Sequence, residues 1–233
     1  MDAFAPTFAR CRQLSRRDIM NLSLGLAVGS VAASWGLAAA AQKRAQARTE
    51  IPLDELMQPG PLPELVFGKE DAPITVVEYA SMTCGHCANF HNKVLPTIKE
   101  KYVDSGKVRF IMREFPLDKL AVAASMLARC AGGEKTFPLI SALFAKQDEW
   151  AFVRSNPVPE LFKLAKQAGF TQESFDKCLT DQKLMDDIVK IRSRAADSFG
   201  VGSTPTFFIN GKKMTGAPTI EEFDKAFAPL LKS

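Results

Sequence analysis

The chain has little histidine, and most of its length has no excess of either charge. Only two of its 233 residues are histidine, His86 and His91. This scarcity excludes a metal site built from several histidines. Residues 51–233 hold 23 Lys/Arg and 23 Asp/Glu. A neutral domain of this kind has no strongly basic face, so nucleic acid and anionic membrane surfaces are not expected as partners.

Charged residues are missing altogether from Ile19 to Gln42. Arginines precede this run, and Ser15-Arg16-Arg17-Asp18-Ile19-Met20 resembles a twin-arginine export signal, with Sec as the alternative route. Ala38-Ala39-Ala40-Ala41 supplies small residues for cleavage. The run is also long enough to span a bilayer. We therefore predict a signal peptide over residues 1–42, or alternatively an inner-membrane anchor formed by residues 19–41, and expect the domain in the periplasm.

The folded part of the chain is predicted to begin near residue 64. Residues 43–63 contain four prolines and several basic side chains, a composition typical of a linker. Residues 64–233 are long enough to bury a sizeable core, and 46% of the whole chain is apolar. These features predict one folded domain rather than a disordered segment.

Five cysteines are present, and two of them belong to the tetrapeptide Cys84-Gly85-His86-Cys87. A short β-branched run, Ile74–Tyr79, precedes it and an apolar pattern with helical spacing follows it, with Pro96 as an expected kink. Cys84 is thus predicted at a helix N-terminus, where unpaired N–H groups and the helix dipole favour a thiolate. Two thiols one helical turn apart can form and reopen a disulfide, which makes the tetrapeptide a redox motif.

Two further cysteines, Cys130 and Cys178, remain once Cys11 is assigned to the leader. If Cys84 pairs with Cys87, the remaining pairing is fixed. Because compartments outside the cytoplasm are oxidising, we expect a structural disulfide between them. The alternative is two buried free thiols that act as small hydrophobic side chains.

The remaining pattern predicts an α/β domain that is interrupted by helices. A strand is predicted at Val108–Phe115, and a hairpin is predicted around a turn at Asn210-Gly211. Between them, apolar residues recur three and four apart, which predicts a helical insertion at about 118–199. Thr219 is predicted to cap a final helix.

Taken in this order, the motifs resemble the DsbA type of thioredoxin-fold protein. The resemblance covers about residues 64–230 and rests on Glu78, Cys84 to Cys87, the helical insertion and Gly202-Ser203-Thr204-Pro205-Thr206. It implies a thioredoxin-like fold, with a central mixed sheet flanked by helices and an inserted α-helical subdomain. It also implies a thiol–disulfide oxidoreductase without a cofactor. Such a protein introduces disulfides into unfolded exported proteins and is reoxidised by a membrane quinone-linked partner resembling DsbB.

The resemblance also implies a role for each residue of the motif. Cys84 is the exposed, attacking sulfur, and Cys87 is the shielded sulfur that resolves the mixed disulfide. His86 would favour the Cys84 thiolate, with an exposed, passive histidine as the alternative. Glu78 matches a buried acid that relays protons for the second cysteine, with a surface residue on an edge strand as the alternative.

A proline loop completes the implied site. Thr204 and Pro205 match a loop that, with a cis bond, faces the disulfide and pairs with an extended substrate. The alternative is an ordinary trans turn.

Two departures from DsbA leave the direction of the reaction open. DsbA proper usually has Pro where Gly85 stands, and Cys-Gly-His-Cys is the pattern of protein disulfide isomerase. Thr204 is also common in isomerase-type relatives. Residues 43–63 are too short for the separate dimerisation domain that those relatives carry. We therefore expect a monomeric oxidase, with a disulfide isomerase or reductase as the alternative.

A metal carrier is the rival function from another class. Cys84, Cys87 and His91 form a C-x₂-C-x₃-H run that could hold Zn²⁺ or Cu(I). The sequence has no second cluster of Cys and His to complete a tetrahedron, so His91 is predicted instead to be a solvated helix residue. A non-catalytic chaperone on the same fold is a third possibility.

Overall fold

The structure, a computed structural model, describes residues 48–232. The predictions for the leader, residues 1–42, and for Cys11 lie outside the described residues. Across residues 48–232, no helix combines the length and the apolar character needed to cross a membrane.

A five-stranded mixed sheet forms the centre of the domain. Its strands are β1 (Leu65–Phe67), β2 (Ile74–Ala80), β3 (Val108–Glu114), β4 (Thr206–Ile209) and β5 (Lys212–Thr215). Their spatial order is β1-β3-β2-β4-β5; β2 and β3 are parallel, and the other neighbours are antiparallel. This arrangement confirms the predicted fold class of a mixed sheet flanked by helices.

The crossover between the parallel strands is a continuous helical segment, residues 85–103, which we call the motif helix. It consists of α2 (Gly85–Asn89), a π turn (Phe90–Val94), α3 (Leu95–Ile98) and a second π turn (Lys99–Val103). A kink was expected at Pro96, because proline lacks the N–H that a regular helix needs. The irregularity takes the form of a π turn on each side of α3 rather than a break in the helix.

Six α-helices and a short 3₁₀ helix (Gly133–Lys135) between β3 and β4 form the predicted insertion. The α-helices are α4 (Lys119–Ala131), α5 (Thr136–Ala145), α6 (Gln147–Trp150), α7 (Val158–Gln167), α8 (Gln172–Leu179) and α9 (Gln182–Phe199). Gly200 ends α9 in the left-handed conformation, with φ 62°. The last helix, α10 (Ile220–Phe227), begins after Thr219, whose N–H donates to the Glu222 carboxylate at 2.8 Å.

The three central strands, β2, β3 and β4, are buried on both faces. The alternation of side chains along β2 decides what each face carries. Val76 and Ala80 belong to the core that also contains Phe90 of the motif helix. Val77 and Tyr79 belong to a second core. Residues of α9 and of the N-terminal segment, which is the chain from residue 48 to β1, complete it. Glu78 shares the side of Val76 and Ala80, so its carboxylate points toward the motif helix.

From residue 48 onward, the segment that we predicted to be a linker packs against the domain. It contains α1 (Leu53–Leu56), and the side chains of Ile51 and Leu56 are in the second core. The carbonyl oxygen of Leu56 accepts a hydrogen bond from the buried Arg113 at 2.9 Å. The prolines and charged residues of this segment favoured a linker, but the burial of Ile51 and Leu56 and the hydrogen bond from Arg113 hold it on the domain.

The predicted hairpin between β4 and β5 turns at Asn210-Gly211, where both residues have positive φ, 45° and 91°. Positive φ at both central positions is the geometry that favours Asn-Gly in two-residue hairpins. Gly211 also lies against the N-terminal segment, because its carbonyl oxygen accepts from the Ile51 N–H at 2.8 Å. A Cβ at this position would lie 2.0 Å from the Ile51 oxygen, so only glycine fits.

Candidate active site

The two motif cysteines lie at the start of the motif helix, directly after β2. Cys84 is the N-cap of α2 with extended backbone, and Cys87 lies within its first turn. Both sulfurs are unbonded, so the structure shows the dithiol form. Cys87 is fully buried, and Cys84 is only 9% exposed. The expectation of an exposed Cys84 is therefore corrected, because neighbouring segments of the chain cover it, whereas Gly85 and His86 are exposed.

The surroundings of Cys84 strongly favour its thiolate. A hydrogen bond from the Cys87 thiol is the largest influence, and it lowers the pKa of Cys84 from its ordinary 9.0 to about 5 despite the opposing effect of burial. The Thr204 side chain and the backbone N–H groups of Cys87 and His86 lower that pKa further. Donors aimed at one sulfur stabilise its anion, which is both the better nucleophile and the better leaving group.

Cys87 has the opposite environment. Burial raises the pKa of the Cys87 thiol well above its ordinary value, and its hydrogen bond to Cys84 raises it further. The negative charge of Glu78 acts in the same direction. Of the two sulfurs in the dithiol form, Cys84 is therefore the ionised one and Cys87 keeps its proton.

Thr204 and Pro205 face the Cys84 sulfur, and the peptide bond between them is cis. The Thr204 carbonyl oxygen lies 3.3 Å from Cys84 Sγ and accepts a hydrogen bond from the thiol. The Thr204 hydroxyl is buried and has no other hydrogen-bond partner within residues 48–232, and it lowers the pKa of Cys84 as a donor to the thiolate. The same residue thus offers an acceptor to the thiol and a donor to the thiolate.

Glu78 is fully buried near the middle of β2. Its carboxylate Oε2 lies 2.8 Å from Nε2 of His91, whose side chain is 5% exposed. The prediction that His91 is a solvated helix residue was therefore wrong. Its position four residues after Cys87 places it on the same helix face as that buried thiol, and this spacing was the available signal.

His86 does not join this group of buried residues. It is exposed, and its side chain makes no hydrogen bond or ion pair within the described part of the chain. Cys130 and Cys178 are joined by a disulfide that links the end of α4 to α8 within the insertion. They form no part of the candidate site.

Two side chains whose contacts the sequence did not reveal, Gln147 and Asp118, hold the turn before the motif. Nε2 of Gln147, in α6, donates to the carbonyl oxygens of Met82 at 2.7 Å and Cys84 at 3.1 Å. Thr83 donates its hydroxyl proton to Asp118 at 2.7 Å. Asp118 also caps α4, because its other carboxylate oxygen accepts from the Ala121 N–H. Only the tertiary fold brings these residues together, so no local pattern could have indicated them.

The arrangement gives no support to the metal carrier. His91 directs Nε2 to Glu78, and Cys84 and Cys87 are hydrogen-bonded to each other. Within residues 48–232, no group of three or more His, Cys, Asp and Glu side chains is arranged to hold a metal ion.

Comparisons with known proteins agree with this geometry. A family model described as Thioredoxin matches residues 62–228. The crystal structure of alpha-DsbA1 from Wolbachia pipientis has a TM-score of 0.71 and 35% sequence identity, over 77% of this chain and 96% of that chain. BdbD from Bacillus subtilis, in its oxidised form, shares the fold with a TM-score of 0.64 and 24% identity, over 73% of this chain and 94% of that chain.

Relatives in sequence point the same way. A Rickettsia bellii protein, whose name provisionally assigns protein-disulfide oxidoreductase activity, is 37% identical over 150 residues, which are 64% of this chain and 57% of that protein. Across five such Rickettsia proteins, this chain spans between 55% and 61% of their length. On its fold, its motif order and these similarities, the chain belongs to the thioredoxin family, among the DsbA-type members that carry an inserted helical subdomain.

Proposed function

We propose that this protein is an exported thiol–disulfide oxidoreductase that introduces disulfide bonds into newly translocated proteins through Cys84 and Cys87. The observation that carries the proposal is the opposite tuning of the two sulfurs, with the pKa of Cys84 lowered to about 5 and that of Cys87 raised. A stabilised thiolate favours the dithiol form over the disulfide. The pair is then a strong acceptor of electrons, as in DsbA itself.

The oxidation of a substrate proceeds in two exchanges. A substrate thiolate attacks Cys84 Sγ, the bond between Cys84 and Cys87 breaks, and Cys87 leaves with the electron pair and takes up a proton. A second substrate thiolate then attacks the substrate sulfur of the mixed disulfide. Cys84 leaves as the thiolate that its surroundings stabilise, and the substrate keeps the new disulfide.

The cis Thr204–Pro205 loop beside Cys84 is proposed to bind the substrate. An extended peptide could pair with its backbone while a substrate cysteine approaches Cys84. Reoxidation by a membrane quinone-linked protein resembling DsbB reverses the electron flow. The Cys84 thiolate attacks that partner's disulfide, and Cys87 then loses its proton and displaces the partner from Cys84.

Export to the periplasm is proposed from the sequence of residues 1–42, as a signal peptide or as an inner-membrane anchor. The disulfide between Cys130 and Cys178 supports an oxidising compartment, because such bonds are rare in the cytosol. We propose that the domain acts as a monomer.

A disulfide isomerase or reductase is the second candidate, and Gly85 is the residue that favours it. The reduction potential separates the candidates, because about −120 mV is typical of DsbA and about −180 mV of protein disulfide isomerase. We expect equilibration with glutathione to give a value nearer the first. A value at or below the second would favour the isomerase.

Trapping of substrates tests the proposed function most directly. In Cys87→Ala the mixed disulfide on Cys84 cannot be resolved from within, so covalent complexes with exported proteins should accumulate and can be identified by mass spectrometry. Cys84→Ser is the matched control and should trap none. A chaperone would keep its activity in Cys84→Ser, and finding no complexes with Cys87→Ala in cells would contradict the oxidoreductase.

A further inference from the structure

Within residues 48–232, the carboxylate of Glu78 has one hydrogen-bond partner. On the neighbouring strands, Met112 and Phe207 stand beside it, and both side chains are apolar and buried. Oε2 lies 2.8 Å from His91 Nε2, whereas Oε1 is buried without a hydrogen-bond partner in the described chain. A buried carboxylate needs a compensating partner. In this structure His91 supplies it.

The ring of His91 is fixed in place by aromatic neighbours. It stacks on Phe144 of α5, with centroids 4.2 Å apart and an interplanar angle of 27°. The edge of Phe90 packs against it at a centroid distance of 5.5 Å. His91 lies in the π turn that follows α2, and π turns inside helices are frequent at functional sites. The ring is therefore held at one orientation toward Glu78.

Few titratable groups share this interior. They are Cys84 at the N-cap of the motif helix, Cys87 and His91 within that helix, and Glu78 on β2. The faces packed against the pair from α5, β3 and β4 contribute Phe144, Met112 and Phe207, none of which titrates. Cys87 is close enough to Glu78 to be affected by its charge. A proton that leaves Cys87 thus has Glu78 as its acceptor and His91 as the next group.

We propose that His91 is the positioning residue of the proton path to Cys87: it orients Glu78 and takes up or returns the proton that Glu78 exchanges with that thiol. This inference rests on the proposed function. When a substrate opens the disulfide, one proton passes from His91 to Glu78 and from Glu78 to the leaving Cys87 sulfur, so that Glu78 ends negatively charged and His91 neutral. During reoxidation the same proton travels back, from Cys87 to Glu78 and from Glu78 to His91, while Cys87 attacks Cys84 Sγ in the mixed disulfide and the partner's sulfur leaves as a thiolate. No other oxidant or co-reactant is needed.

The test is a single-turnover measurement of how fast Cys87 resolves a mixed disulfide on Cys84, made with the full chain from pH 5 to pH 9. The mixed disulfide is formed on Cys84 during the measurement, by rapid mixing of the dithiol form with a large excess of oxidised glutathione, and its resolution by Cys87 is the second kinetic phase. In His91→Gln the side chain can still donate to Glu78 but cannot take up its proton. We expect resolution about 10²-fold slower, typical of lost proton transfer, and the loss of one titration step from the pH profile.

Two measurements distinguish this role from a structural one. The thiolate absorbance of Cys84 should titrate as in the wild type, because His91 does not contact that sulfur. Lys93→Gln, an exposed change in the same π turn, should leave both the rate and the profile unchanged. A wild-type rate in His91→Gln would overturn the inference, and so would an equal slowing at every pH.

The wild type supplies a second measurement should His91→Gln fail to fold. With only two histidines, the ¹⁵N ring signals can be assigned. The protonation of His91 should differ between the disulfide and dithiol forms, and identical signals in both forms would overturn the inference. Failure of the proposed function has a different signature, because the wild type itself would then not exchange disulfides.

Discussion

A few hydrogen-bond donors determine the protonation state of the Cys84 sulfur. Its thiolate receives hydrogen bonds from the Cys87 thiol, from the Thr204 side chain and from two backbone N–H groups. Cys87 is surrounded by apolar core and by the charge of Glu78. Two identical side chains, three residues apart, thereby receive opposite protonation states.

This tuning predicts a pH-dependent stability of the dithiol form. The folded pKa of Cys84, about 5, lies below its ordinary value of 9.0, so the stabilisation is fully present above pH 9 and is lost as the pH falls toward 5. The free energy of unfolding of the reduced protein should therefore rise between pH 5 and pH 9 more steeply than that of reduced Cys84→Ser. Urea unfolding at several pH values measures the difference. Parallel pH profiles for the two proteins would contradict the prediction.

The position of Cys84 and Cys87 at the start of a helix, directly after a strand, was predictable from the local sequence. The partners of these cysteines were predictable only through family resemblance, as for Glu78 and Thr204. The burial of His91 was missed because we considered only two roles for it, a metal ligand and a solvated helix residue. Its spacing of four from Cys87 already indicated the buried helix face.

The helical insertion has a direct role in the geometry of the motif. Gln147 of α6 is 5% exposed and holds the Met82 and Cys84 carbonyl oxygens with one amide group. Asp118, at the start of α4, holds Thr83. Side chains of α6 and of the N-cap of α4 thus hold the turn that contains Cys84.

Replacement of the Gln147 amide tests this connection. Gln147→Met keeps the length of the side chain but leaves the Met82 carbonyl oxygen without this donor. We expect the free energy of unfolding to fall by about 1–3 kcal/mol in urea denaturation, the usual cost of an unsatisfied buried polar group. Gln167→Met, an exposed change near the end of α7, is the matched control and should shift stability by no more than about 0.5 kcal/mol. Equal effects of the two substitutions would contradict a special role for Gln147.

Among the elements, the hairpin at Asn210-Gly211 and the helical insertion at about 118–199 were predicted close to where the structure has them. The short elements were missed: α1 (Leu53–Leu56) lies within a proline-rich segment, and β1 (Leu65–Phe67) has three residues. Such elements depend on the sheet and core they contact, and three or four residues carry too little periodicity to reveal them.

For the whole molecule, the disulfide between Cys130 and Cys178 closes a loop across much of the insertion, with a sequence separation of 48. Cys130 is exposed, while Cys178 is buried against α4, where its sulfur lies 3.3 Å from the Met126 carbonyl oxygen. The bond joins two helices on which no proposed catalytic residue lies. Its expected contribution is to stability rather than to exchange chemistry.

The double variant Cys130→Ala/Cys178→Ala measures that contribution. Removing a disulfide that closes a loop of this length should lower the free energy of unfolding by up to about 4 kcal/mol, because the unfolded chain gains conformational entropy. Urea unfolding of the oxidised proteins is the measurement. Stability equal to the wild type would show that the cross-link does not restrain the unfolded chain.

The contact between Cys84 and Thr204 spans 120 positions of the chain. Ribosomes make the N-terminal side first, so both motif sulfurs exist long before the residue that covers the nucleophile. Until Thr204 has been made, Cys84 has its donors from Cys87 and from the helix backbone but lacks the Thr204 side chain and the loop that completes its environment. A half-made copy therefore cannot act on its neighbours with the reactivity of the finished protein, and the order of synthesis itself delays the onset of activity.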